Sequence, residues 1–524
     1  SPKGEITDFR SLSQNYLFDN TLTYTKSVRD FNFTALGGYS MQEQSINSSS
    51  IVGKDFPSPA FDYVNAAGYI KSAATTGSSN RLISTFFRLN MGYADRYLLT
   101  LSIRADGSSK FASGNKWGTF PSASAAWRAS SEAFYPENAW ISDLKLRASW
   151  GMTGNQEGIG DYDSRSLASG GQNYNGMDGI AVTTLANAEL KWEKSDQTNI
   201  GVDLSILKGK ITASADFFIK NTNDLLYDRP LHATTGFTSI TQNIGSMRNT
   251  GFEFTLASHN LTRTDFTWDT QFNISTVKNE LTSLIDERPI PVGKHVLQVG
   301  KAIGSFYMYQ MEGIYQKDIE VPQALYQKGV RAGDIRYTDV NGDGNLSPED
   351  KVVVGKPLPD FYGGLTNRFT FYNFDLTIFN TFSVGNDVYS SGMSGIDAVG
   401  HYNYGIRKEV AQHRWQGEGT SSSVPRAMIS THNTQVSTYL LHDGSYFKFK
   451  DVTLGYTFPA MLTQKWGISN LRLYASAQNL WTISSYPGYD PEVSYSVNDS
   501  KTMGEDAMTV PQLRTFVFGL NINF

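Results

Sequence analysis

The chain of 524 residues is rich in glycine and aromatic side chains and poor in charge, which excludes several classes of protein. It contains 47 glycines, 13% aromatic and 18% charged residues, and its mean hydropathy is -0.34. Disordered chains lack such an aromatic content. The formal net charge is -5 without a basic block, so nucleic acid is not an expected partner. Because cysteine is absent, disulfides and thiolate metal sites are excluded.

Apolar and polar residues alternate with a period of two along much of the chain. At the C-terminus Phe516, Phe518 and Leu520 fall on one face, and Val517 and Gly519 fall on the other. The same alternation recurs at 97–104, 211–220, 266–275 and 451–458. Successive side chains of a strand point to opposite faces, so these segments are predicted strands with one apolar face. That face would be the core of a soluble sandwich or the lipid-facing surface of a membrane barrel.

Strand length and spacing favour the barrel. The strands are about 10 residues long, which spans a bilayer when the strand is tilted. Fifteen are predicted: 16–26, 31–42, 82–94, 96–106, 119–130, 143–153, 195–206, 209–220, 250–258, 264–277, 361–371, 374–388, 446–458, 470–482 and 513–524. The fold class is therefore all-β, a transmembrane antiparallel β-barrel. The face carrying Phe518 is expected to contact lipid.

The connections between these strands alternate between short and long. Short turns belong on the periplasmic side of an outer-membrane barrel and long loops outside. The long ones are 43–81, 107–118, 154–194, 221–249, 278–360, 389–445 and 483–512, of which 278–360 and 389–445 are the longest. An apparent further strand at 303–313 would break this alternation, so it is assigned to the long external loop 278–360. Single-chain bacterial barrels have even strand numbers. The odd count therefore predicts that residues 1–524 form the C-terminal part of a larger barrel.

Ten short motifs follow one another along nearly the whole chain. They read RADGSSKF (104–111), WGTFPS (117–122), LKLRASWGMTGN (144–155), WE (192–193), TNIGVD (198–203), GDIRY (333–337), DVNGDG (339–344), YFKFKDVTLGY (446–456), QNLWT (478–482) and GYDPE (488–492). Their order resembles the SusC/RagA family of TonB-dependent outer-membrane transporters from Bacteroidetes. The resemblance implies a 22-stranded barrel whose plug domain and first strands are not in this chain.

The resemblance also implies a function. The expected activity is TonB-dependent import of a nutrient across the outer membrane, with an oligosaccharide as the expected cargo and a peptide as the alternative. The implied partners are a SusD-like surface lipoprotein acting as a lid, the N-terminal part of the same receptor, and TonB acting through that part. Loops 278–360 and 389–445 are rich in Tyr, Phe and Gly, unlike disordered linkers. Apolar, flexible loops on a cell surface suggest burial against a partner, so these two loops are expected to contribute much of the lipoprotein interface.

A passive porin and an outer-membrane enzyme are the rival functions. No zinc-protease, phosphate-loop or serine-hydrolase motif occurs, so no catalytic residue is predicted. The seven histidines, at 232, 259, 295, 401, 413, 432 and 442, lack metal-ligand spacing. Arg104 with Asp106, and Arg147, could touch solute or plug, but charge pairing on a solvated face is favoured. Trp117, Trp192, Trp415 and Trp481 could stack on sugar rings, but packing is the favoured interpretation for each.

A calcium site is predicted in the segment 339–350. Oxygen-bearing side chains fall at loop positions 1, 3 and 5, with glycine at 6, as in an EF-hand loop. The predicted ligands are Asp339, Asn341, Asp343, the backbone carbonyl of Asn345, and Asp350, with Ser347 contributing directly or through water. Asp350 departs from the pattern, since a longer Glu usually holds position 12. The alternative is a metal-free turn, because Asn, Asp and Gly favour turns by themselves.

Overall fold

The structure is a computed structural model that describes residues 4–136, 139–397, 399, 405–429, 431–496 and 499–524. His401, among the histidines named above, lies outside the described residues. Antiparallel strands dominate. They are β1 (Glu5–Val28), β2 (Phe31–Lys54), β3 (Tyr69–Tyr93), β4 (Tyr97–Ser108), β5 (Trp117–Arg128), β6 (Ile141–Asn155), β7 (Leu167–Ser169), β8 (Ala181–Thr184), β9 (Glu193–Ile206), β10 (Ile211–Asn223), β11 (Leu226–Pro230), β12 (Ser239–Asn243), β13 (Gly245–Thr262), β14 (Phe266–Leu284), β15 (Ile290–Val292), β16 (His295–Leu297), β17 (Ser305–Tyr309), β18 (Met311–Ile314), β19 (Ile335–Tyr337), β20 (Lys351–Gly355), β21 (Phe361–Phe371), β22 (Phe374–Val384), β23 (Asp387–Tyr389), β24 (Leu441–Asp443), β25 (Tyr446–Thr457), β26 (Asn470–Ser484) and β27 (Thr515–Asn523).

Helices are short and lie in the connections. The α-helices are α1 (Gln323–Gln327), α2 (Ser394–Asp397), α3 (Lys408–His413) and α4 (Ala460–Thr463). Single 3-10 turns occur at Val64–Ala66, Ala129–Ser131, Ala233–Thr235, Ile285–Glu287, Asp318–Glu320, Pro348–Asp350, Ser391–Met393, Thr438–Leu440 and Gln464–Trp466. Among the described residues, none of the helices has the length and apolar character needed to cross a membrane.

One large sheet confirms the prediction of fifteen strands. Its strand order is β1-β2-β3-β4-β5-β6-β9-β10-β13-β14-β21-β22-β25-β26-β27, so each strand pairs with the next strand of this sheet along the chain. The remaining strands form small separate sheets in the long connections. Strands β17 and β18 cover most of the run at 303–313 and lie outside the large sheet, as expected.

The first three strands are much longer than predicted. Strands β1 and β2 pair without interruption from Val28↔Phe31 to Glu5↔Lys54, and β3 continues the ladder along β2. The prediction of a loop over 43–81 was therefore wrong for 43–54 and 69–81. These residues are rich in Ser, Thr and Asn, which individually favour turns. Backbone pairing that starts at a tight turn overrides that preference.

Contacts divide the chain into two compact units. The first comprises 1–134, 145–200 and 220–246, and the second comprises 135–144, 201–219 and 247–524. In both units large apolar side chains of the sheet are exposed, including Ile200 at 61% and Phe518 at 81%. Fully buried apolar side chains, such as Phe306 and Ile335, lie instead in the long connections. A sheet with an uncovered apolar face suits a lipid environment and not the core of a sandwich.

Glycines make room for aromatic rings on neighbouring strands. A Cβ at Gly519 would lie 2.2 Å from the ring of Tyr474, and a Cβ at Gly38 would lie 2.3 Å from that of Phe86. Each ring therefore occupies space that a side chain at the glycine would need. At these two positions glycine is therefore needed for the ring of the neighbouring strand to fit.

Candidate functional site

Hydroxyl and amide groups cover the polar face of the sheet and bond across neighbouring strands. In the first unit Ser102 Oγ lies 2.6 Å from Ser122 Oγ, and the Thr100 hydroxyl donates to Asn90 Oδ1 at 3.0 Å. In the second unit the hydroxyls of Ser214 and Thr255 lie 2.7 Å apart. These groups are small and uncharged. Such a face can border an aqueous passage for a polar solute.

The predicted charge pair on this face is present. Arg104 Nε donates to both oxygens of Asp106, at 2.7 and 2.9 Å, and its Nη2 donates to Ser84 Oγ at 2.8 Å. The guanidinium carbon lies 5.6 Å from the centre of the Phe86 ring. Arg147 also has an interaction partner. Pairing on the polar face, the favoured interpretation, is thus confirmed for Arg104.

Apolar residues of the connections in the first unit build a small core with Phe120 of β5. Phe111, Phe120, Ile159, Leu190 and Trp192 are buried together. The Trp192 indole N–H donates to the backbone carbonyl of Lys116 at 3.0 Å, and the Trp192 ring meets Phe120 edge-on at 5.6 Å. The packing interpretation is therefore confirmed for Trp192, which is 4% exposed and presents no platform to a ligand.

The other three tryptophans also pack against protein. Trp117 lies over Gly107, where a Cβ would come within 2.8 Å of its ring. Trp415 packs against the cluster that contains Tyr337, and Trp481 stacks on Phe449 at 6.0 Å. Trp117 and Trp481 nevertheless remain 59% exposed.

A buried ion pair joins the two longest loops. Asp334, in the GDIRY motif, is 1% exposed. Its carboxylate accepts hydrogen bonds from Arg426 Nε at 2.8 Å, from Arg426 Nη2 at 2.9 Å and from the Asn433 amide at 2.9 Å. Asp334 belongs to loop 278–360, and both partners belong to loop 389–445. The bidentate geometry fixes the orientation of one loop relative to the other.

Aromatic side chains of these two loops are buried together. Phe306 and Met308 of the first loop pack with Tyr389, Met393 and Leu440 of the second. The aromatic content of the two loops therefore builds a shared core. Other apolar side chains stay on the surface, notably Ile319 at 91% and Ile429 at 77% exposure.

The segment around Glu505 connects loop 483–512 to the same assembly. Glu505 Oε2 accepts a hydrogen bond from Lys294 Nζ at 2.7 Å, and its Oε1 lies 3.4 Å from Nε2 of the fully buried His295. The Tyr389 amide donates to the carbonyl of Gly504 at 2.9 Å. Burial raises the pKa of Glu505, but His295 and Lys294 outweigh burial and hold that pKa below its usual value. Three long loops therefore share one set of buried polar contacts.

A second buried charge cluster ties loop 483–512 to strand β25. Lys448 Nζ lies 3.0 and 3.2 Å from the two oxygens of Asp490 and 2.6 Å from Glu492 Oε2. Lys450 Nζ lies 3.2 Å from the same Glu492 oxygen. Sequence reasoning missed this cluster, although the two lysines share one face of a strand and the carboxylates belong to the GYDPE motif.

The predicted calcium loop folds as a tight turn held by its own side chains. Asp339 accepts hydrogen bonds from three backbone amides, those of Gly342 at 2.8 Å, Asp343 at 3.2 Å and Gly344 at 2.8 Å. Asn341 Oδ1 accepts from the Asp343 amide at 3.0 Å. Asp343 Oδ1 in turn accepts from the Asn345 amide at 2.7 Å. The structure thus places the first three predicted ligands on one turn.

Asp350 does not join these side chains as a free ligand. It is fully buried, and its oxygens accept hydrogen bonds from the backbone amides of Val340 at 3.0 Å and Ser347 at 2.8 Å. The side-chain oxygen of Asn345 accepts from Lys328 Nζ at 3.2 Å. Within the described residues, no three His, Asp or Glu side chains gather where a metal ion could bind. The donor set therefore fits calcium in part, at the 339–343 end of the loop.

The sheet of neighbour-paired strands, its exposed apolar face and its hydroxyl-lined opposite face define an outer-membrane β-barrel protein. A family model described as "TonB dependent receptor-like, beta-barrel" matches residues 3–480. The chain belongs to this family of outer-membrane β-barrel receptors.

Two relatives of this chain are themselves named TonB-dependent receptors. The chain is 34% identical over 545 residues to TonB-dependent receptor P3 of Formosa agariphila, covering 99% of this chain and 53% of that protein. It is 32% identical over 482 residues to TonB-dependent receptor SusC of Bacteroides thetaiotaomicron, covering 87% of this chain and 45% of that protein. The chain therefore spans about half the length of these relatives.

Among solved structures, the fold matches the RagAB peptide transporter with a TM-score of 0.87 at 24% identity. That match covers 100% of this chain and 57% of the other. The SusC/RagA resemblance drawn from the motifs is confirmed by these relatives.

Proposed function

We propose that this chain is the C-terminal barrel portion of a TonB-dependent importer of the SusC/RagA type, and that its cargo is an oligosaccharide. The observation that carries the proposal is that the two faces of one sheet differ in polarity. One face exposes apolar side chains such as Phe518, and the other presents hydroxyls such as those of Ser102 and Ser122. A wall rich in hydroxyls, on which the charges of Arg104 and Asp106 pair with each other, suits a neutral, hydroxylated solute. The proposal also includes an N-terminal part that supplies the plug, the remaining strands and the contact with TonB.

A genetic experiment tests this function. The gene for the full receptor would be deleted from its host, and uptake of fluorescently labelled oligosaccharides and peptides would be measured. Uptake of an oligosaccharide should be lost on deletion and also when a protonophore collapses the inner-membrane gradient. Uptake that survives the protonophore would instead identify a passive porin. If deletion abolishes only peptide uptake, the cargo of this receptor is a peptide, as named for RagAB, and not an oligosaccharide.

A SusD-like lipoprotein lid is the proposed extracellular partner. Support comes from apolar side chains that the loop core leaves exposed, Ile319 and Ile429. Replacing both by Asp should reduce co-purification of the lipoprotein with the receptor, since burying a charge at an interface is unfavourable. Gln327→Asp is the matched control, because Gln327 is an exposed polar residue of the same loop. If the double variant and the control recover equal amounts of the lipoprotein, Ile319 and Ile429 do not belong to the interface.

Calcium bound at Asp339, Asn341 and Asp343 remains our proposal for the 339–350 turn, on the strength of its EF-hand register. Asn345 would contribute its carbonyl, and Asp350 would contribute after releasing a backbone amide. Elemental analysis of the purified receptor should find calcium, and Asp343→Asn should abolish it. The Asn side chain retains an oxygen for the Asn345 amide, so the turn itself should survive. Wild-type receptor without calcium would establish the metal-free turn.

A further inference from the structure

An open concavity with a volume of about 540 Å³ lies on the polar face of the first unit. Strands β4, β5, β6 and β9 line it, with Arg104, Asp106, Phe120, Ser149, Thr153 and Gln197 among the lining residues, together with apolar side chains such as Met152. Ligand-binding pockets commonly measure about 300–1,000 Å³. Nothing in the family match assigns a role to this surface.

The concavity lies at the ends of the strands that lead into long connections. Asp106 is near the end of β4, before connection 107–118, and Thr153 is near the end of β6, before connection 154–194. Long connections of outer-membrane barrels are extracellular. Phe120 lines the concavity and also packs against Trp192 in the loop core. A solute entering from outside would therefore meet this surface early.

Its charged groups are fixed and mutually neutralised. Arg104 is held by Asp106 and Ser84 through Nε and Nη2, and no described residue bonds to its third nitrogen, Nη1. The Arg104 side chain is 45% exposed, whereas that of Asp106 is 12% exposed. The pair thus presents a guanidinium donor with an adjacent carboxylate acceptor and no net charge.

Uncharged polar groups surround this pair. Ser124, Ser149, Thr153 and Gln197 also line the concavity, and none of their side chains bonds to another described residue. Their hydroxyls both donate and accept hydrogen bonds, and the Gln197 amide offers both kinds of group. The wall therefore presents several unused donors and acceptors next to a rigid donor–acceptor pair.

We infer that this concavity binds a neutral, polyhydroxylated segment of an oligosaccharide. Each sugar hydroxyl both donates and accepts, so adjacent hydroxyls match the Arg104–Asp106 pair and the surrounding side chains. A peptide terminus or an anionic sugar finds no unbalanced charge here, and burying an unpaired charge is costly. The inference rests on the proposed function and adds the residues that contact the oligosaccharide and the requirement that this segment be uncharged.

Binding to the full-length receptor in detergent tests the inference. The probes are maltohexaose, cellohexaose and laminarihexaose as neutral sugars, a heparin-derived hexasaccharide as an anionic sugar, and penta-alanine as a peptide. Calorimetry should show binding of at least one neutral hexaose. Gln197→Ala and Ser149→Ala should each weaken it about threefold to tenfold, as expected for one lost hydrogen bond. Arg104→Met should weaken it further.

Control variants separate binding from folding. Ser476→Ala alters a hydroxyl on the polar face of β26, outside the concavity, and should leave the affinity unchanged. Gln197→Ala and Ser149→Ala each remove one small polar group, so they should fold even if Arg104→Met does not. Heat-modifiable migration in gel electrophoresis reports folding of each variant.

Several results would overturn the inference. They are the absence of neutral hexaose binding, equal affinity in the Gln197→Ala and wild-type receptors, and preferential loss of penta-alanine or heparin binding in the variants. If the variants bind hexaose as tightly as the wild type does, the concavity does not contact the sugar and is covered by another segment of the receptor. The proposed import function is judged separately, since cellular uptake can depend on the receptor and the gradient even when these variants bind normally.

Discussion

Replacing Lys448 by Met should loosen loop 483–512 while leaving the sheet paired. The Lys448 side chain is 1% exposed and that of Asp490 is 7% exposed, so their charges are removed from water. Methionine preserves much of the volume but leaves Asp490 without its cation. Removing one partner of a buried pair costs about 3–5 kcal/mol. The third member, Glu492, is 29% exposed and keeps Lys450, so the main cost falls on Asp490.

Lys450→Met is the matched control. Lys450 lies two residues further along β25 and contacts the same Glu492 oxygen, but its side chain is 27% exposed. Ion pairs in contact with water contribute about 0–1 kcal/mol. The two substitutions therefore change the same residue type on one strand face and differ chiefly in burial.

Hydrogen exchange of residues 486–496 in the full receptor measures the difference. Since each 1.4 kcal/mol corresponds to a factor of ten, Lys448→Met should accelerate exchange there by about two to three and a half orders of magnitude. Lys450→Met should accelerate it by less than about fivefold. Adding Asp490→Asn to Lys448→Met should restore part of the protection. Equal acceleration by both single variants, or none by Lys448→Met, would refute the reasoning.

Two further predictions concern the lipid face and pH. Phe518→Arg should destabilise the folded barrel in vesicles by about 2–4 kcal/mol, whereas Val517→Arg on the opposite face should cost much less; equal losses would reverse the assigned faces. Burial lowers the pKa of His432 and of His442 below the ordinary 6.5. Protonation of these histidines is easier when the loop is locally unfolded and the rings are in water. Loop 389–445 should therefore be fully protected from hydrogen exchange above about pH 6.5 and lose that protection as the pH falls. Exchange rates corrected for intrinsic pH dependence check this, and protection that rises on acidification would contradict it.

Local side-chain direction determined what the sequence alone could predict. Residues such as Phe516 and Phe518 alternate with Val517 and Gly519 because a strand turns successive side chains to opposite faces. That rule identified the fifteen strands of the large sheet and the apolar face that the structure leaves exposed. The turn at Asp339 was also recognisable, because its hydrogen bonds join residues at most five positions apart.

Tertiary structure decided the features that depend on distant residues. Asp334 meets Arg426 across 92 positions, and Lys448 meets Asp490 across 42, so no local pattern relates them. The same holds for the concavity around Arg104, whose residues come from four strands. The extra length of β2 also follows from pairing along β1 and β3, which stabilises Ser- and Asn-rich segments that would otherwise favour turns. Periodicity is a local property of the backbone, whereas loop packing and strand length depend on which distant groups the fold brings within bonding distance.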